Sequence, residues 1–131
     1  MEMNSEIYQV LLNIDKLFSP KPHWLVLATA DGFYLGHLAQ PDQWLDTQRI
    51  VALSAGAVGH HERRTMEHDL GTLRYGLTFA DNGFVITAFT GNDWVLSLMF
   101  KEANLAALIS TLQVLPDAID NLAQLESTKR R

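Results

Sequence analysis

The spacing of hydrophobic and polar positions changes several times along the chain, and each change marks an element. Ile7, Val10, Leu11, Ile14 and Phe18 recur at helical spacing, which makes one apolar stripe along a first helix. Asn4 or Ser5 can cap its start, and Ser19-Pro20-Lys21-Pro22 ends it, because proline has no amide hydrogen to give. Residues 24–30 are a continuous apolar run, as expected of a strand covered on both faces. Asp31-Gly32 reads as a two-residue turn that tolerates positive φ, and residues 33–38 return as the hairpin partner. After a break at Gln40-Pro41-Asp42, residues 43–68 read as one long helix, capped by Asp42 and stopped by Gly71. At ~1.5 Å per residue it would span roughly 40 Å.

Three strands follow. Over residues 72–80, Leu73, Tyr75, Leu77 and Phe79 alternate with Thr72, Arg74, Gly76 and Thr78. Asp81-Asn82-Gly83 and Thr90-Gly91-Asn92-Asp93 are turn signals that set off strands at 84–89 and 94–100. A last helix begins near Glu102, with Leu105, Leu108, Ile109, Leu112 and Leu115 as its stripe, and Pro116 kinks or ends it. The order is α-β-β-α-β-β-β-α. Tight turns join all strands but one pair, so the pattern predicts an α/β (α+β) domain with a mainly antiparallel five-stranded sheet. Strands apolar on both faces need helices on both sides: the two terminal helices on one face, the long middle helix on the other. The expectation is a single domain over residues 1–131, with its core at about 5–120 and a C-terminal tail at 121–131.

The middle helix is the unusual element. Ile50 to Gly59 contains no charge, whereas a surface helix normally carries a polar back. One face, with Ile50, Leu53, Ala57 and Val58, can rest on the sheet; the other, with Ala52, Ala55, Gly56 and Gly59, has no partner within the chain. Glycine in a helix costs about 0.5–1 kcal/mol relative to alanine. Two readings account for the pair. Either another backbone comes close, most simply the same helix of a second copy across a two-fold axis, or Gly56 and Gly59 fit tightly over the sheet. The first is favoured.

Composition narrows the function. The chain has 131 residues, no cysteine, 47% hydrophobic residues and a formal charge of −5. Disulfides, thiolate metal sites and thiol nucleophiles are excluded. An acidic balance argues against a nucleic-acid surface, and no run reaches the ~18 apolar residues of a membrane span. Glu2, Glu6 and Asp15 occupy the stretch where a signal peptide carries positive charge and an apolar core, so a cytoplasmic protein is expected. His60-His61-Glu62 invites a metal reading, but position 65 is Thr65 where a zincin needs histidine, and His61 and His68 lie about 10 Å apart by helix rise. There is no phosphate loop and no nucleophile elbow around Ser54. No cofactor, no metal and no catalysis are expected. Trp44, in the first turn of the long helix, with Arg63 and Arg64, are candidate partner contacts.

Several phrases resemble the roadblock family, named from dynein-associated light chains. They are the hairpin around Asp31-Gly32, the small-residue helix from Ala52 to Gly59, Thr72-Leu73-Arg74-Tyr75-Gly76-Leu77-Thr78-Phe79 followed by Asn82-Gly83-Phe84-Val85-Ile86-Thr87, and Glu102-Ala103-Asn104-Leu105. The resemblance covers about residues 5–120 and lies in order and spacing. It implies a roadblock (profilin-like) fold and a dimer in which middle helices pack together and the strand after them pairs across the two-fold axis. The interface would then hold Ala52, Ala55, Gly56, Gly59, Thr72, Arg74, Gly76 and Thr78. It also implies an adaptor that binds or regulates a small Ras-like GTPase or another signalling protein. The alternatives are a scaffold in a signalling or motility complex without a GTPase, and a small-ligand sensor.

Overall fold

A computed structural model describes residues 4–41 and 44–129. Eight elements follow in order: α1 (Ser5–Asp15), β1 (Trp24–Thr29), β2 (Tyr34–Ala39), α2 (Thr47–Glu67), β3 (Tyr75–Ala80), β4 (Gly83–Phe89), β5 (Trp94–Phe100) and α3 (Leu105–Lys129). The strands form one sheet in the order β2-β1-β5-β4-β3, antiparallel throughout. The first and last strands of the hairpin pairs meet at the centre, as β1 pairs β5 from Trp24↔Met99 to Thr29↔Trp94. β2 and β3 are the two edges.

The period-2 alternation of the strands divides the core into two layers. On one face Leu25, Leu27, Ile86, Leu96, Leu98 and Phe100 pack under Leu11 and Ile14 of α1 and Leu115 and Leu122 of α3. On the other, Val26 and Ala28 meet Val51 of α2, and Val95 meets Val58. The expected layer arrangement is therefore the one observed: terminal helices on one side, the middle helix on the other.

Local chemistry accounts for most boundaries. Asn4, of the two candidate caps, accepts from the amides of Glu6 and Ile7 at 2.8 and 3.3 Å. α1 stops at Asp15, so Phe18 lies beyond the helix, yet it is buried against Phe100. The first hairpin closes on three residues rather than two. Thr29 and Phe33 bond to each other, and Gly32 takes φ +99° in the position of a left-handed bulge residue.

α2 is shorter than its pattern. It starts at Thr47 under Asp46, whose carboxylate accepts from the Arg49 amide at 3.1 Å; the expected cap, Asp42, lies outside the described residues. Twenty-one residues give roughly 32 Å of helix. Its end is a Schellman motif, with the Leu70 amide on the Thr65 carbonyl and the Asp69 amide on that of Met66. The left-handed residue of this motif is Asp69, at φ 54°; Gly71, the expected stop, follows two residues later and also takes a positive φ, 87°.

α3 departs most from expectation. It runs unbroken through Pro116 to Lys129. A proline inside a helix costs about 3 kcal/mol, but Leu115, Ala118 and Leu122 continue the buried face on both sides of it. Leu105 and Ile109, expected in the stripe, are instead 65% and 49% exposed. The stretch expected as a tail is anchored by Glu126, 1% exposed. Its carboxylate accepts from Thr90 Oγ1 at 2.6 Å and from the amides of Asp93 and Trp94 at 2.8 and 3.1 Å. One side chain thus ties the last turns of α3 to the β4–β5 turn.

Each buried donor left unpaired costs about 1–3 kcal/mol. Glu126→Ala should therefore lower unfolding stability by roughly 2–4 kcal/mol in urea denaturation, with Leu105→Ala within about 0.5 kcal/mol of wild type. Equal effects would contradict the burial of the chain end.

Candidate functional site

The surface with most to explain is the outer side of α2 and the edge strand that follows it. Val51, Ser54 and Val58 face the sheet and are buried. Ser54 fixes this rotation. Its hydroxyl donates to the Ile50 carbonyl at 2.8 Å and lies 2.6 Å from Ser97 Oγ on β5, which supplies the proton of that second bond. Further along the helix, the ring of His61 covers Gly76 on β3, where a Cβ would collide with it.

This rotation sorts the expected interface residues. Ala52, Gly56 and Gly59 are exposed and point away from the sheet, in line with Arg63. Ala55 does not belong with them: it is half-buried on the flank, and its Cβ is 3.9 Å from the Cβ position of Gly32 in the first turn. Leu53, expected on the sheet face, is 64% exposed, while Ile50 and Ala57 are half-buried on the flanks. The tight-fit reading of the two glycines fails. A Cβ added at Gly56 or Gly59 would meet nothing within 4 Å.

β3 begins at Tyr75, so Thr72 and Arg74 precede the strand and are exposed. The alternation therefore holds only from Tyr75 onward. Leu73 turns to the α2 side and packs on Val58 and Val95, whereas Tyr75, Leu77 and Phe79 face the other way. Gly76 is buried beneath its own chain's His61, and Thr78 is exposed. β3 pairs with β4 on one side, and among the described residues its outer edge carries no strand. Trp44 lies before α2 rather than in its first turn and is 81% exposed. Arg63 and Arg64 are exposed and, with His60 and Glu67, line a shallow depression of about 330 Å³.

Comparison with known proteins follows the same lines. No family model matches the sequence, and no curated protein matches it in sequence. Solved structures do match. MglB of Myxococcus xanthus superposes with a TM-score of 0.80 at 16% identity, over 97% of this chain and 99% of that one. A gliding protein MglB from Thermus thermophilus gives 0.75 at 17% identity, over 89% and 85% of the two chains. A Roadblock/LC7 domain from Streptomyces avermitilis gives 0.73 at 15% identity, over 91% and 96%. The chain has the roadblock fold.

Within this roadblock fold the depressions are open to solvent. One of about 620 Å³ lies beside the β3–β4 turn, lined by Asp81, Asn82 and Phe100 among others. Another, of about 260 Å³, lies between α2 and the sheet, with Leu53 on its wall and Ser54, Thr87 and Ser97 within it. The two serines there are bonded to each other. The titratable groups that depart from ordinary behaviour lie on α1 and β2. Burial pushes the Asp15 carboxyl up, against the pull of Lys21 at 3.8 Å. On β2, burial raises Tyr34 and lowers His37, whose Nδ1 lies 2.7 Å from the Tyr34 hydroxyl. Among the described residues no group of three metal-binding side chains comes together, and no helix is long and apolar enough to cross a membrane.

Sequence reasoning missed Leu53 and the row Tyr75, Leu77, Phe79. The alternation of the row was readable, but not that α3 would stop short of covering it. The open space at Gly56 has its own consequence. In the isolated subunit Gly56→Ala gains helix propensity and meets no obstacle, so it should raise urea stability by about 0.5–1 kcal/mol at concentrations where subunits are separate. A loss would show that the glycine serves the subunit itself.

Proposed function

We propose that the protein is a homodimeric adaptor that binds and regulates a small Ras-like GTPase, with no catalysis of its own. The observation that carries the dimer is the outer face of α2. The charge-free stretch of the helix, residues 50–59, turns Ala52, Gly56 and Gly59 to solvent, and no described residue of the subunit comes close enough to account for the glycines. A second helix approaching along this stripe would. The free outer edge of β3, next to α2 in the fold, supports a second contact in the same assembly, since an open edge is a template for another strand. Of the residues expected there, Thr78 lies in the strand, Thr72 and Arg74 flank it, and Gly76 would contribute backbone alone. The reading of cytoplasmic location goes with this assignment.

The GTPase is supported by the resemblance to the roadblock family and by the fold shared with MglB. Trp44, Arg63 and Arg64 are exposed and are the contacts assigned to such a partner. A scaffold in a motility complex without a GTPase is the second reading, favoured by likeness to a structure described as a gliding protein.

Two measurements test these claims. Wild-type protein should sediment as a dimer, and Gly56→Leu or Gly59→Leu should shift it to monomer with an unchanged far-ultraviolet spectrum; a mutant that stays fully dimeric refutes the helix contact. Mixing the dimer with Ras-like GTPases, nucleotide-free and GTP-loaded, should give a complex or an altered hydrolysis rate. Silence with every such GTPase, together with partners of other classes in pull-downs, would leave the scaffold reading in its place.

A further inference from the structure

β3 keeps one face uncovered. Tyr75, Leu77 and Phe79 alternate along it on the side of α1 and α3 and are 37, 42 and 46% exposed. The cause is the placing of the helices, as α1 packs over β2 while α3 lies over β4 and β5. The row is the open margin of the main core, since Phe79 stacks on Phe84 with ring centroids 6.0 Å apart.

The inference rests on the dimer reading above. Pairing β3 with its copy satisfies edge hydrogen bonds, which lie in the plane of the sheet, but side chains stand out of that plane. The row therefore stays bare in the dimer and is doubled, with six apolar side chains side by side across the two-fold axis. We propose that this strip receives one amphipathic helix of a partner protein, on the face opposite α2.

Width and area select that occupant. From the β4–β5 midline under α3 to the same line in the copy is four strand spacings, roughly 19 Å at ~4.8 Å each. That is about two helix-to-helix distances of 8–10 Å, so one helix fits between α3 and its copy. With side chains of roughly 150–250 Å² each, exposures near two-fifths leave roughly 250 Å² per subunit, or about 500 Å² over the dimer. A second globular partner or second dimer needs about 800 Å² per side; one helix face needs less. A strand of six residues is roughly 20 Å long, the length of about 13 helical residues. A single helix on a two-fold axis cannot obey the symmetry, so the complex holds one helix per two chains.

The probe is a lactam-stapled Leu/Lys peptide of about 13 residues, with leucines at i, i+3, i+4 and i+7, titrated into wild-type protein by calorimetry. The expected result is one peptide per two chains, with affinity at least about tenfold lower in Leu77→Glu or Leu77→Ser while sedimentation still shows a dimer. One peptide per chain, no binding to a dimeric wild type, or unchanged affinity in both variants would overturn the inference and leave the dimer standing. Loss of the dimer in Leu77→Ser would place Leu77 in the subunit contact and also overturn it. A wild type that sediments as a monomer removes the dimer reading first, and this inference with it.

Discussion

The rotation of α2 about its own axis decides what this protein shows to others. A helix without charge over ten residues could turn any side to the sheet. The hydroxyl pair of Ser54 and Ser97 selects one, because it is buried and each oxygen must find a partner there. His61 over Gly76 sets the same angle about two turns later, where β3 offers no side chain of its own. Once those two contacts are made, Val51 and Val58 fall into the core, and Ala52, Gly56 and Gly59 have no choice but to face outward. The outer stripe is thus a consequence of polar satisfaction beneath it as much as of hydrophobic burial.

The opposite layer is organised by a different constraint. α1 and α3 cover the sheet only as far as β4, and the last turns of the chain are held at the β4–β5 turn, where Glu126 meets Thr90, Asp93 and Trp94. A helix held at that corner cannot also shelter β3. The edge strand therefore keeps both a free hydrogen-bonding edge and an uncovered apolar row. These lie at right angles to each other, in the sheet plane and out of it, so a single partner strand cannot satisfy both. The molecule has two kinds of unfinished surface on one strand and a third along α2, and all three are of the kind that another protein completes. Among the described residues, in contrast, no buried polar side-chain atom lacks a hydrogen-bond partner. The likeness to roadblock structures is strong in shape, with a TM-score of 0.80, while sequence identity is 16%.

Element types, their order and the sorting of helices between two faces were legible in the chain, because period and turn chemistry are local. A cap at Asn4 or Ser5, a turn at Asp31-Gly32 and strand β5 could be read from a few residues each. Tertiary contacts decided the rest. Pro116 reads as a kink or a stop, but burial of Leu115, Ala118 and Leu122 on either side outweighs its cost. Leu53 and Leu105 look like core in any helical pattern and lie outside it, since a stripe drawn on a helix does not say which edge of it the neighbouring layer reaches. Leu73 reads as one alternating set with Tyr75, yet the chain enters β3 only after it and turns it to the other face. That Gly56 and Gly59 are small was plain from the sequence; that open space lies above them depends on the angle at which Ser54 meets Ser97, a contact between residues 43 positions apart.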